Sequence, residues 1–571
     1  MVDVINNLYG PASLFIAGGL MLWILPALPR KLFMLIVPVV SLLLIYDLPT
    51  VSTAGAPSLH VLTYTLYPFR VDRLSLVFGY LFHIAAFIAV VFSLHINDRI
   101  QQSAGLIYAG GALGAVFAGD LLTLFVYWEI MAVSSVFLIW ARRTERAFIA
   151  GLRYLIFQVL SGVLLLAGTL VHVAETGSLV FDKMTLDTAG WLILLAFGIK
   201  AAFPMMHSWL TDAYPEATPT GTVFLASFTT KAAVYCLARG YAGESLLITI
   251  GAVMAAFPIF YAVIENDMRR VLAYSMINQV GFMVVGIGIG TALAINGAVA
   301  HAFNDVIFKG LLMMSMGAVM YRTGRIHASD LGGLYKTMPK TMILCLIGAA
   351  SISAFPLFSG FVSKSMIVTA AIKEGYDFVW LVLLFAAAGV FHHAGIKIPY
   401  FTFFGHDAQL KASEPPVNML IAMMLAAILC IAIGSFPMLL YRYLPLPMVY
   451  SPYDLTHVYT QLQLLFFSAM AFVWLNQRGL YPPELHSTNL DSDWLYRRVL
   501  RGLWNTAYHW LCYWYQWLCA TARRWLQTAW RNLVFQGGLY GYLGRTLSSS
   551  KMVALPMMIL LLIVLYNLWL V

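Results

Sequence analysis

The chain is short of charge. Only 10% of its 571 residues are Asp, Glu, Lys or Arg, against 61% apolar, whereas a water-soluble domain carries roughly 25% charged and 45–50% apolar residues. A soluble enzyme is excluded on that ground. Cysteine is scarce as well: Cys236, Cys345, Cys430, Cys512 and Cys519 form no CxxC pair and fall mostly inside apolar runs. No disulfide framework, zinc site or iron–sulfur cluster is implied. The net charge of +9 is spread thinly between apolar runs, without the dense basic patch that nucleic-acid binding needs. Gly286, Gly288 and Gly290 sit within a helix-length apolar run and lack the strand and turn of a dinucleotide fingerprint. No cofactor and no metal is expected.

What the chain has in quantity is long apolar runs. Leu8 to Pro29, Lys31 to Leu48, Asp72 to His95, Leu121 to Trp140, Val417 to Leu440 and Lys551 to Val571 are mostly apolar. Each supplies the roughly 17–25 residues that a helix needs to cross a hydrocarbon core about 30 Å thick. Barrel strands would instead alternate in segments of about ten. The expectation is an all-α polytopic membrane protein of about sixteen spans, some fourteen of them before Leu440. The first run has no cleavage signature and reads as a retained span.

With an outside N-terminus, the inward loops hold Arg30, Lys31, Arg99, Arg142, Arg143, Arg146, Arg269, Arg270, Arg322, Arg325, Lys336, Lys340 and Lys411, thirteen in all. The outward loops hold six: Arg70, Arg73, Lys183, Arg239, Lys373 and Arg442. The positive-inside rule thus puts the N-terminus outside and the tail after Leu475 inside. From Asp493 to Gln536 that tail is dense in Trp and Arg, too polar to span and suited to the headgroup zone. It reads as a helix on the membrane surface of roughly 66 Å at about 1.5 Å per residue, either a lipid anchor or a strap along a neighbouring subunit.

Charged side chains at the bilayer centre cost several kcal/mol, so each one inside an apolar run is a pathway candidate. Glu129, Lys200, Lys231, His301, Lys309, Lys364 and Lys397 all lie inside such runs. Desolvation lowers a lysine's proton affinity and a nearby carboxylate restores it. A Glu–Lys pair of variable separation is therefore a proton switch, the role expected of Glu129 and Lys200. An imidazole between lysines makes His301 a natural relay. Plain readings compete: Glu129 and Lys200 as a structural pair, Lys231 and Lys364 snorkelling, His301 bonded to a carbonyl, and Lys309 paired statically with Asp305 at i,i+4. Lys397, beside Pro399 and an aromatic-rich exit, is expected nearer the interface. Pro204 in AAFP and Pro356 in SAFP fall inside apolar runs 152 residues apart; helices broken at corresponding points mark transport sites.

FGIKAAFPMMHSWLTDAYPEATPT (Phe197 to Thr220), HAFNDVIFKGLLMM (His301 to Met314) and LGGLYKTMPKTMILCLIGAASISAFPLFSGFVSKSMIV (Leu331 to Val368) resemble the antiporter-like subunit family. It comprises large subunits of Mrp cation/proton antiporters, proton-pumping subunits of respiratory complex I and membrane arms of energy-converting hydrogenases. The likeness spans roughly Val71 to Gly405 and is closest to the Mrp D subunit. It implies fourteen core helices with two inverted five-helix repeats and broken seventh and twelfth helices. By position, Glu129 is similar to the fifth-helix glutamate, Lys200 to the seventh-helix lysine, Lys231 to the eighth and Lys364 to the twelfth. His301 and Lys309 fall on the eleventh. Asp305 stands where quinone-linked relatives show a second histidine, and WLTD, with Thr211, replaces their WLPD.

The segments implied are 1–103 (N-terminal helices), 104–241 and 242–405 (the two repeats), 406–476 (further spans), 477–550 (surface helix) and 551–571 (terminal span). The expected function is proton translocation along the Glu/Lys/His chain, not enzymatic catalysis, in a multisubunit Mrp-type antiporter of a bacterial inner membrane. Its partners would be other membrane subunits, the lipid bilayer, protons and a monovalent cation, sodium first. A redox-driven pump subunit, an energising subunit for inorganic-carbon uptake and a non-conducting scaffold are the rival readings.

Overall fold

Lipid offers the backbone no hydrogen-bond partner, so an apolar chain of this kind satisfies its peptide groups within helices. A computed structural model describes residues 10–46, 48–50, 57–61, 64–486, 489–538, 541 and 548–569. The expectations for the N-terminal residues 1–9 and for the last two residues of the terminal span lie outside these. In chain order the helices are α1 (Pro11–Met21), α2 (Ala27–Ile45), α3 (Arg73–Ser93), α4 (Arg99–Phe117), α5 (Leu121–Trp140), α6 (Glu145–Thr176) and α7 (Thr188–Ala201). Short α8 (Ser208–Ala213) and α9 (Gly221–Ser227) lead to α10 (Thr229–Gly240), α11 (Leu246–Ile264), α12 (Met268–Ile289) and α13 (Ala292–Thr323). There follow α14 (Pro339–Ile352), α15 (Ser359–Lys373), α16 (Asp377–Val390), α17 (Val417–Ser435), α18 (Leu455–Gln477), α19 (Arg501–Gly537) and α20 (Ser549–Trp569). Twelve helical segments among the described residues are long and apolar enough to cross a membrane, counting α9 with α10 and α16 with its extension, and α1, α7 and α14 are shorter apolar helices. A small hairpin, β1 (Leu59–Val61) and β2 (Tyr64–Leu66), is an addition the apolar pattern did not announce.

The few acids of the chain have local work at helix starts. Asp72, Asp98, Asp120, Asp187 and Asp267 each accept from backbone N–H groups at the head of α3, α4, α5, α7 and α12, satisfying donors that have no intrahelical partner. Small residues then set close packing. A Cβ on Gly251 of α11 would stand 2.6 Å from Val285 N, and one on Gly281 of α12 would stand 2.5 Å from Ala255 N, the close approach that small residues permit in membrane helices. Gly288 packs likewise on Ile248, and Gly290 caps α12 at φ +76°. The glycine run is thus a packing face and a helix stop.

Both expected interruptions are present, with matching backbones. α7 ends at Ala201, and Ala202 and Met205 take φ of 62° and 68° around Pro204. α14 ends at Ile352, and Ala354 and Leu357 take φ of 58° and 74° around Pro356. Left-handed backbone at a non-glycine residue costs on the order of 1–2 kcal/mol, so four such residues at equivalent positions of two AFP turns mark a repeated device. A third irregularity follows α16, where Phe391–Lys397 and Tyr400–Phe404 are π-helical.

The chain divides into two units, residues 1–489 and 490–571. The segment after α18 up to Asn489 is held in the first by Asn489 on Glu265 at 3.0 Å and His486 on Asp330 at 3.2 Å. In the second unit, helix runs from Asp493 through π-helical Leu495–Leu500 into the 37 residues of α19. No side chain of α19 is buried.

Candidate functional site

Two groups of buried charge stand beside the interrupted helices. In the first, Lys200, fully buried in the last turn of α7, donates to the Trp128 carbonyl at 2.7 Å and lies 4.2 Å from the centroid of that indole. Glu129 is the next residue of α5, and its Oε1 is buried without a hydrogen-bond partner. That oxygen packs on Gly162 of α6, where any Cβ would collide with it. Glu129 also lines an apolar groove of about 520 Å³ with Leu20, Trp23 and Ile107. The amine has thus turned to a carbonyl, while the neighbouring carboxylate keeps an oxygen without a partner. A lysine on a neutral carbonyl and a carboxylate with a free oxygen form an arrangement that can gain or lose a proton at small structural cost.

In the second group, Lys231 of α10 makes an ion pair with Asp305 of α13 at 2.6 Å, both 0% exposed. The alternative of a static i,i+4 pair between Asp305 and Lys309 gives way to this interhelical one; Lys309 donates to the Ser275 hydroxyl of α12 at 2.8 Å. The reason is geometric: α10 brings an amine directly onto the carboxylate, whereas the long lysine one turn along its own helix extends to another neighbour. His301 is fully buried and bridges elements, with Nδ1 3.0 Å from Ser363 Oγ on α15 and Nε2 3.1 Å from Gln279 Oε1 on α12. Its partners are side chains, so the carbonyl-bonded alternative is not the one adopted. Lys364, beside Ser363, donates to the Ile352 carbonyl at 2.7 Å. It neutralises an orphan carbonyl at the C-terminal end of α14, where a cation is favoured. Neither Lys231 nor Lys364 snorkels: their exposures are 0% and 3%.

Lys397 lies at a helix end, where α11 closes. It is fully buried in the π-helical segment, 3.0 Å from Glu484, and donates to the carbonyls of Val263 and Glu265 at 2.6 and 2.7 Å. The carbonyls closing α11 draw it in, and Glu484, from the segment after α18, supplies the countercharge.

The remaining quoted motif is a clamp around the first interruption. In WLTDAYPEATPT, Asp212 receives Arg153 of α6 at 2.6 Å, Glu216 receives Arg142 and Arg146 at 3.1 and 2.7 Å, and Arg269 of α12 donates to the carbonyls of Tyr214, Ala217 and Thr218.

With that geometry in view, residues 118–391 match the family model described as NADH:quinone oxidoreductase/Mrp antiporter, TM. Through these residues the chain is similar to the antiporter-like subunit family. It is similar to the Na(+)/H(+) antiporter A subunit of Alkalihalophilus pseudofirmus, 29% identical over 473 residues, 73% of this chain and 58% of that protein. It is also similar to the Na(+)/H(+) antiporter D subunit of the same organism, 29% identical over 340 residues, 56% of this chain and 68% of that one. The chain thus spans little more than half the length of the first of these relatives. Among solved structures, a chain of the Mrp complex from Dietzia sp. DQ12-45-1b shares the fold at TM-score 0.65 and 20% identity, covering 77% of this chain and 93% of that one.

Several polar residues of this protein were missed at the level of sequence. Gln279 and Asn278 sit mid-helix in VLAYSMINQVGFMVV, and Gln279 donates to Asn278 at 2.6 Å while its oxygen faces His301. The same argument that selected the lysines, polar groups inside an apolar run, selects these amides. His393, buried with both ring nitrogens unpartnered, and Glu484 had weaker signals: a doublet of histidines and a loop acid.

Proposed function

We propose that this chain is the proton-translocating subunit of a multisubunit Mrp-type antiporter, exchanging protons for a monovalent cation, sodium first, across a bacterial inner membrane. The observation that carries the reading is the buried Lys231–Asp305 pair set among His301, Lys309 and Lys364 beside one interrupted helix, with Lys200 and Glu129 beside the other. Buried ion pairs are weak sources of stability, and so many ionisable groups in an apolar bundle point to transport rather than packing. In this reading Glu129 and Lys200 are the switch. When their charged forms meet, the amine keeps its proton; when Lys200 turns to the Trp128 carbonyl, the proton passes on toward Lys231, His301 and Lys309, and Lys364 delivers it. Pro204 and Pro356 keep the helices open where the amines sit. The loop charges support an outside N-terminus, and the family supports membrane-embedded partners. The sixteen spans, the inverted repeats and the six segments given above belong to the same proposal.

The test is Lys200→Ala and Glu129→Ala, each in the assembled complex in everted vesicles. Each abolishes cation-dependent proton flux while the complex still migrates intact on a native gel. Retained flux in either removes the switch. A redox-driven pump subunit is the second reading, favoured by the family description, which joins quinone oxidoreductases with antiporters. Proton flux driven by a sodium gradient with no electron donor present decides for exchange; flux that requires a donor decides for the pump.

A further inference from the structure

We infer that His457 of α18 carries protons between Lys364 and the far end of α15, so that a helix beyond the family-matched residues completes the path. This rests on the proton-path reading above. Lys364 and His457 line one cavity of about 240 Å³, enclosed by α12, α15, α16 and α18, with Thr369, Gln461, Phe282 and Trp380 on its walls. The wall is mainly apolar, but Lys364, Thr369, His457 and Gln461 offer the polar partners that a water needs to connect an amine to an imidazole. The ammonium of Lys364 is seated 5.2 Å from the centroid of the Phe282 ring and on the Ile352 carbonyl. His457 Nε2 lies 3.0 Å from the Thr369 hydroxyl, and its Nδ1 is buried without a partner. One ring nitrogen is therefore available to take a proton while the other is already connected to a hydroxyl.

The groups that face His457 leave this role open. From α15 they are Lys364 and Thr369; from the segment before α18, Tyr450, with its ring 6.3 Å away and its hydroxyl 3.4 Å from that of Thr369; on its own element, Asp454 at the helix start. An imidazole has two ring nitrogens, so it can take a proton at one and give one up at the other, which no other side chain of the wall can do. The proton leaves Lys364 Nζ for a cavity water, binds one ring nitrogen, and departs from the other toward Thr369 and the end of α15. The imidazole returns to its neutral form and no net charge stays behind. Under the orientation set by the loop charges, that end is the outer face. Gln461, which donates to the Ser353 carbonyl at 3.1 Å, ties α18 to the interruption between α14 and α15, so the helix is fixed where the path emerges.

The experiment uses the full complex in proteoliposomes carrying His457→Ala, His457→Gln, Thr369→Val or Lys364→Ala. His457→Ala and His457→Gln lower cation-coupled proton flux at least about tenfold, the low side of what a positioned proton-transfer group contributes, with the complex intact on a native gel. Imidazole added on the outer side restores flux to His457→Ala, and Thr369→Val lowers it less. Wild-type flux in His457→Ala beside a dead Lys364→Ala overturns this inference alone. Flux lost without rescue by imidazole also overturns it, leaving His457 a positioning residue. Full flux in Lys364→Ala, Lys200→Ala and Glu129→Ala together would remove the underlying reading instead.

Discussion

A buried carboxylate holds or loses its proton according to what it touches, and the two acids of the site touch different things. Asp305 rests against an amine at 2.6 Å, yet its Oδ1 has no partner; Glu129 has an unpartnered Oε1 against a glycine. Each keeps one oxygen available to a proton. Removing the charge of Asp305 therefore has a separable effect on transport and on stability. Asp305→Asn is expected to lower proton flux at least about tenfold. It also lowers thermal stability in detergent, because Lys231 is left without a countercharge. Combining Lys231→Met with Asp305→Leu restores the stability without the flux, since apolar replacement of a buried pair is often neutral or better. Proteoliposome flux and thermal-shift measurements on the same preparations check both halves. The sequence singled out Asp305, Lys231 and Lys309 correctly as buried, but their pairing needed a second helix: i,i+4 spacing proposes a contact, and α10 supplied a shorter one.

At the scale of elements, irregular backbone coincides with buried charge three times: at the Ala202–Met205 turn, at the Ala354–Leu357 turn and in the π-helical stretch after α16. The broken turn after α14 frees the Ile352 carbonyl, which the amine of Lys364 occupies, while Lys397 reaches from the π-helical stretch to the carbonyls closing α11. The prolines made the first two breaks legible; the π-helix was not, because FHHAGIKIPYFTFFG has the composition of any apolar helix. Lys397→Met leaves Glu484 and the carbonyls closing α11 unsatisfied in a buried place, so it should destabilise the protein by about 3–5 kcal/mol, read as a drop in thermal midpoint in detergent. Glu484→Gln, which keeps the shape, should cost less. A pH effect belongs to the head of α3. Burial raises the Asp72 carboxyl, but Arg239 at 2.6 Å, the Ser75 N–H and Arg70 outweigh it and hold the group below its ordinary value of 3.8. A depressed folded value means stability that is present above about pH 3.8 and lost as the pH falls through the folded value. Asp72→Asn should flatten that acid limb in unfolding curves measured from pH 5 downward.

For the whole molecule, the first unit has a core of its own, while the second consists of helices whose side chains are exposed within this chain. Removing residues 490–571 is expected to leave the first unit folded by circular dichroism and thermal midpoint. The same deletion loosens its association with partner subunits on a native gel; unchanged association would make α19 a lipid anchor alone. Composition determined much of this protein without help. Sparse charge and long apolar runs fix a helical membrane protein, because lipid permits little else, and each charge left inside a run marks its own expense. What composition cannot carry is adjacency across the bundle. That Lys231 meets Asp305, that His301 reaches Gln279 and Ser363, and that His457 opens onto the cavity of Lys364 depend on residues tens of positions apart being packed side by side. Only the close contact of helices, set by glycines and interrupted turns, brings such residues within a proton's reach.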